Sequence, residues 1–250
     1  MSRVDPVAAA GFAAAADAYE RARPSYPDEA VDWLVERTGL GPGRTVVDVA
    51  AGTGKLTRLL PRSGARVVAV EPVPEMRALI TGVQVLDGTA EELPLADGAA
   101  DVVTVAQAFH WFDRDRALPE LHRVLAPGGT LALVWNMRDL TDPLQQGIED
   151  LLAPYRGVVE PARSGSWREP LRDSHLFGDQ EAREFAYEQL LTRDTLADRV
   201  ASTSFVATLE PAAREDLLER VRALARGRSE PFPFPYRTEV ILFPRRGDPG

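Results

Sequence analysis

The stretch Val46 to Leu60, VVDVAAGTGKLTRLL, constrains this chain more than any other. A valine-rich run holds one acidic residue, Asp48, and ends in two alanines and Gly52-Thr53-Gly54. An amphipathic segment follows, so the pattern predicts a strand, a glycine turn and a helix over 54–62. Further apolar runs recur at 66–71, 83–87, 101–107 and 130–135, short and apolar at consecutive positions. Runs of that kind are strands buried on both faces. Helical candidates lie between them at 73–80 and 115–125, with a short turn near 89–93 and a stop at Pro127-Gly128-Gly129. Alternation of this kind builds βαβ units and a parallel sheet with helices on both faces. Beyond Asn136 the pattern loosens. Helices are expected over 139–155, 195–209 and 212–227, and strands over 184–192 and 236–246.

Three cofactor classes use a turn of this kind: nucleoside triphosphates, dinucleotides and S-adenosylmethionine. A phosphate loop needs G-x-x-x-x-G-K-[ST], but Val49 stands at its first glycine and Leu56 follows Lys55. A dinucleotide turn needs a third glycine, where this chain has Thr57. S-adenosylmethionine needs close approach to a glycine turn and a carboxylate for its ribose hydroxyls. Glu71, at the end of the second run, supplies a carboxylate, though one placed there suits NAD equally.

Four stretches in order, VVDVAAGTGKLT, VVAVEP, DGTAEELPLADGAADVVTVAQAFHWF and ELHRVLAPGGTLALVWN, resemble class I S-adenosylmethionine-dependent methyltransferases. Within them the chain is similar to the trans-aconitate-methyltransferase-like, type 11 group. The opening AAADAYERARPSYP and the closing helices and strand share the resemblance, which is weakest over 137–182. It implies a Rossmann-like three-layer α/β sandwich: a seven-stranded, mostly parallel sheet, an antiparallel last strand and helices on both faces. It implies one domain over 1–250, with an N-terminal lid at 1–30 and a cap over the acceptor site at 137–182.

By the same resemblance, Gly52, Thr53, Gly54 and Ala50 would carry the methionine end of the cofactor, and Asp48 would anchor their loop. Glu71 and Pro72 would face the ribose, and Thr89, Ala90 and Glu91 the adenine. Met76 would pack on the adenine face or serve the core. Ala106 and Gln107 would lie beside the cofactor, with Tyr19 and Arg23 folding over it. Arg23 would meet its carboxylate or remain a solvated helix residue.

The run AFHWF follows the fourth strand, where a transferable methyl would sit. Phe109, His110, Trp111, Asn136, Arg138 and Trp167 are the expected acceptor contacts. His110 is the candidate catalytic base, with a pKa near the working pH, or else it only shapes the pocket. Arg163 and Arg168, with Arg138, are candidate anion contacts, although solvated surface accounts for them as well. His122 reads as structural, His175 as a possible contact, and no metal site is expected.

The expected activity is methyl transfer from S-adenosylmethionine to an O or N atom of a small molecule, releasing S-adenosylhomocysteine. The alternative is a cyclisation or rearrangement that keeps the cofactor intact. The net charge of −9 argues against a nucleic-acid partner. So does AQAFHWF, which stands where nucleic-acid amine methylases carry Asn/Asp-Pro-Pro-aromatic. The chain has no cysteine and no apolar run of roughly 18 residues, and Asp5 and Asp17 interrupt any signal-peptide core. A cytoplasmic monomer or homodimer, without membrane contact, is the expectation.

Overall fold

The computed structural model describes residue 20, residues 22–155 and residues 168–247. Tyr19, Arg163 and Trp167 lie outside the described residues, as does most of the expected lid.

Helix α1, Asp28–Thr38, opens after Pro27 with Asp28 and Glu29 in its first turn. Arg37 lies in its last turn and Gly39, at φ +63°, ends it. These charges complement the helix dipole, and glycine takes the left-handed cap without a Cβ clash. The sequence carried all these signals; the expected lid, over 1–30, overlaps only the first turn of this helix.

The sheet comprises β1 (Thr45–Val49), β2 (Arg66–Val70), β3 (Gln84–Leu86), β4 (Ala100–Ala106), β5 (Leu125–Arg138), β6 (Glu181–Leu191) and β7 (Phe232–Pro244). Their spatial order is β3-β2-β1-β4-β5-β7-β6. β1 pairs in parallel with β2 and β4, and β4 with β5. β7 runs antiparallel between β5 and β6. The four long helices that follow α1 are α2 (Arg114–Val124), α3 (Pro143–Leu152), α4 (Arg193–Ala201) and α5 (Pro211–Leu224).

The period of two along the strands sorts the core into layers. Val47, Val49, Val103 and Val105 face α2 with Leu121 and Trp135. Val46, Val102, Ala132 and Val134 face α1 with Trp33 and Leu34. A third cluster joins α3, α4 and α5 to Phe232, Phe234 and Tyr236 at the start of β7. Within the expected cap, α3 packs with helices 40 to 80 residues downstream, whereas Leu171 and Phe177 join the core layer around α2.

The helix expected over 54–62 is replaced by turns and a 3-10 turn at Leu60–Ser63. Gly54 stands at φ +83°, the Arg58 guanidinium donates to Thr53 O at 2.8 Å, and Pro61 lacks an N–H. Each feature interrupts a continuous i→i−4 ladder. The apolar stripe survives, because Leu56 and Leu60 are still buried. The segment 195–209 likewise divides, into α4 and a short turn of helix at Ser204–Ala207.

Candidate active site

Sheet order reverses between β1 and β4, and ligands of open α/β sheets bind outside the strand ends at that point. Both strands end there in strained backbone. Ala50 follows β1 at φ +54° and Gln107 follows β4 at φ +59°. Among the described residues they are the only non-glycines at positive φ. A Cβ in that region costs on the order of 1 kcal/mol. Ala50→Gly is therefore expected to raise stability by about 1 kcal/mol in urea unfolding; no gain would mean the loop relaxes around the methyl.

The glycine turn is held from below. Gly52 N donates to Glu71 Oε2 at 2.8 Å, and Val73 N donates to Glu71 Oε1 at 2.9 Å. Each carboxylate oxygen keeps a lone pair for another donor. Burial pushes the Glu71 carboxyl up, against the pull of those two N–H groups. Gly52 itself is at φ +60°, and no heavy atom lies within 4 Å of the place its Cβ would take. Arg77 donates to Glu71 O at 2.7 Å and Pro72 O at 3.2 Å, fixing the turn beyond β2.

Asp48 lies beneath, buried among valines. The Thr57 hydroxyl donates to its Oδ2 at 2.5 Å, and the Thr104 hydroxyl to its Oδ1 at 2.7 Å. Neither donor is charged. Burial pushes its carboxyl up to about 6. The anchoring role expected for Asp48 thus runs through Thr57, just past the glycines.

Above the turn, Glu20 accepts hydrogen bonds from Thr53 Oγ1 and Arg58 Nη2, and Lys55 Nζ stands 3.4 Å away. Gln189 Nε2 donates to Ala22 O at 3.2 Å, Arg23 Nη2 to Ser202 O at 2.6 Å and Asn136 Nδ2 to Ser25 O at 2.8 Å. Glu20 and residues 22–25 are thereby strapped across the carboxyl edge of the sheet. Sequence reading missed Glu20, Gln189 and Ser202. Their partners lie 33 to 179 residues away, so no local spacing signals them.

Thr89, Ala90 and Glu91 form a turn beside β3. Ala90 is buried, and the Thr89 hydroxyl is buried with no hydrogen-bond partner among the described residues. Glu91 Oε1 accepts from Asp113 N at 3.0 Å, tying this turn to the start of α2. Met76 is buried in the short helix Pro74–Arg77. Gln107 Nε2 donates to Asn136 O at 3.3 Å, joining the ends of β4 and β5.

The aromatic run forms a 3-10 turn at Phe109–Trp111. The His110 ring lies 4.6 Å from that of Trp111 and 5.4 Å from that of Trp135, and its Nδ1 is buried with no hydrogen bond among the described residues. Burial first, then the Arg114 and Arg23 cations, push His110 down to about 4. This corrects the expected pKa near working pH: a desolvated imidazole facing two guanidiniums holds a proton poorly.

Several expected acceptor contacts are committed elsewhere. Phe109 is wholly buried, its ring 5.6 Å from that of Phe112, and belongs to the core. The Asn136 amide also accepts from Thr238 Oγ1 at 2.6 Å, so both its ends serve the fold. Arg138 pairs with Glu149 and Arg168 with Glu239, which answers their charge within the protein. His122 bonds Arg246 O at 2.9 Å and is structural, as expected, while His175 is exposed.

These features fit S-adenosylmethionine: an open side over Gly52, a carboxylate with lone pairs to spare, and an unanswered buried hydroxyl at Thr89. The fold and this turn define the class I S-adenosylmethionine-dependent methyltransferases. A model of the methyltransferase domain matches residues 47–133. An uncharacterised methyltransferase of Mycobacterium tuberculosis is 44% identical over 222 residues, covering 85% of this chain and 84% of the relative. An uncharacterised methyltransferase-like protein of Schizosaccharomyces pombe is 34% identical over 213 residues, covering 83% of each. A solved Haemonchus contortus phosphoethanolamine N-methyltransferase 2, in complex with S-adenosyl-L-methionine, shares the fold at a TM-score of 0.56. It is 14% identical and covers 94% of this chain and 57% of its own. The chain belongs to the methyltransferase family, whose cofactor is S-adenosyl-L-methionine. Among the described residues, no helix is long and apolar enough to cross a membrane.

Proposed function

We propose that this methyltransferase acts on an O or N atom of a small-molecule acceptor. One arrangement carries the reading: Gly52, with its open side, follows β1, and the His110–Trp111 turn follows its parallel neighbour β4, so both stand beyond the carboxyl ends of paired strands. When bound there, S-adenosylmethionine supplies a sulfonium-activated methyl group.

The protein's own part is chiefly positional. Glu71 orients the ribose and the turn at Thr89–Glu91 the adenine. Gly52 and Gly54 let backbone approach the methionine end. Glu20 and residues 22–25 cover the edge and exclude water, with Glu20 fastened to the glycine turn. His110 and Trp111 wall the acceptor space. Orientation of this kind supplies roughly 7–11 kcal/mol in well-placed cases. At neutral pH His110 is uncharged and a weak base, so it shapes the space and offers a ring nitrogen for hydrogen bonding. The helices α3, α4 and α5 form the cap on the acceptor side. The net charge of −9 supports a small molecule over a nucleic acid, with the cytoplasm as the place of action.

The test is transfer of label from methyl-labelled S-adenosylmethionine to a panel of small hydroxyl, carboxyl and amine compounds. Label appearing only in nucleic acid, in protein or on carbon would overturn the proposal. With an acceptor in hand, kcat/KM is expected to show no histidine ionisation between about pH 5.5 and 8. A limb near 6.5 that disappears in His110→Gln would restore the histidine as base.

A further inference from the structure

A closed ring of hydrogen bonds runs from the N-terminal segment to α4 and back. Ala22 O accepts from Gln189 Nε2 at 3.2 Å, and Gln189 Oε1 accepts from Tyr236 Oη at 3.4 Å. Tyr236 Oη in turn accepts from Arg199 Nε at 2.9 Å. Ser202 Oγ donates to Arg199 O at 2.7 Å, and Ser202 O accepts from Arg23 Nη2, next in sequence to Ala22.

Arg199 is the unusual member. Its guanidinium carbon lies 5.9 Å from the centre of the Tyr236 ring, which holds it in place together with the hydroxyl. Among the described residues only Nε is hydrogen-bonded, and no carboxylate pairs with it. Asp194, on the same helix, is committed to Arg222 at 3.5 Å. A guanidinium fixed at one nitrogen, with its fork open, has the geometry that carboxylates and phosphates fit.

Its place in the fold ties it to the acceptor side. Tyr236 pairs with Arg138 at the carboxyl end of β5, two residues beyond the Asn136–Thr238 pair. Asn136 is joined to the end of β4 through Gln107. The ring also reaches the aromatic turn, because Arg23, which donates to Ser202 O, is one of the two cations that act on His110.

We propose that Arg199, positioned by Tyr236, binds an anionic group of the acceptor. This rests on the methyl-transfer reading and gives it a substrate class: a small molecule carrying a carboxylate or phosphate apart from the atom that receives the methyl. Gln189 links that anion site to the strap, since it touches both Tyr236 and Ala22.

The test uses the full chain loaded with S-adenosylhomocysteine and probes it calorimetrically with glutarate, inorganic phosphate and 1,5-pentanediol. Glutarate or phosphate is expected to bind and the neutral diol not. Arg199→Gln should weaken the anion at least tenfold, Arg199→Lys should recover part of the loss, and Tyr236→Phe should fall between. S-adenosylhomocysteine should bind all of these variants within about twofold, which also reports that they are folded. Equal anion affinity in Arg199→Gln, a diol that binds as tightly as glutarate, or no anion binding by the wild-type complex overturns the subsite. No binding of S-adenosylhomocysteine by the wild-type chain instead overturns the methyl-transfer reading beneath it.

Discussion

Gly52→Arg is expected to abolish cofactor binding, lowering affinity for S-adenosylhomocysteine more than 100-fold while leaving the chain folded. The two halves of that expectation have separate causes. No heavy atom lies within 4 Å of the site a Cβ would occupy, so the first side-chain atom meets no protein. The φ of +60° adds strain on the order of 1 kcal/mol, which a domain of this size tolerates. The rest of the arginine then fills the space over the turn, beside the Glu71 carboxylate that accepts the Gly52 N–H. Calorimetric titration checks the affinity and thermal unfolding checks the fold. Retained affinity with an unchanged melting temperature would mean that the cofactor does not lie over this turn.

Asp48→Asn is expected to change how stability depends on pH. The Asp48 carboxyl rises to about 6 in the folded chain, from an ordinary value of 3.8, because burial outweighs its two hydroxyl donors. For an acid raised in this way, the folded state holds its proton more tightly than the unfolded state. The stabilisation is complete below the unfolded pKa and is lost as pH rises through about 6. Two units correspond to about 3 kcal/mol. Asparagine keeps an acceptor for one threonine and offers a donor to the other, and it does not ionise. The variant's stability relative to wild type should therefore grow by about 2 kcal/mol between pH 4 and 7. Taking the difference matters, because His110, pushed down to about 4, contributes a slope of opposite sign. Its charged form is disfavoured in the folded chain, so its contribution grows as pH rises from about 4 towards 6.5. Urea unfolding of both proteins across that range is the measurement, and a difference independent of pH would show that Asp48 is not buried as a carboxylate.

Asp48 also illustrates how much was legible in the sequence. A carboxylate inside a valine run needs partners whatever the fold, because leaving it unpartnered costs several kcal/mol. That it had partners was readable; that they were Thr57 and Thr104 was not, since Thr104 sits 56 residues away on the neighbouring strand. The glycine turn, the Glu71 carboxylate and the strands were readable for a similar reason. Consecutive valines, a glycine pair and a strand-end acid reflect constraints within a few residues of chain. The helix expected at 54–62 was misread because periodicity reports which face is apolar, not whether each N–H has a partner. Leu56 and Leu60 are buried as a helix would bury them, without one.

What the sequence by itself determined was the alternation of strands and helices and the chemistry of the cofactor turn, both written in local spacing. What only the tertiary structure decided was which side chains remained available once the chain had closed. Arg138, Arg168 and Asn136 looked available in the sequence and are engaged in the fold, whereas Arg199 was unremarkable there and keeps its fork open. His110 looked like a base and is held neutral by burial and by Arg114 and Arg23. Charge pairing and desolvation depend on which groups meet across the fold, and the order of residues along the chain does not specify those meetings.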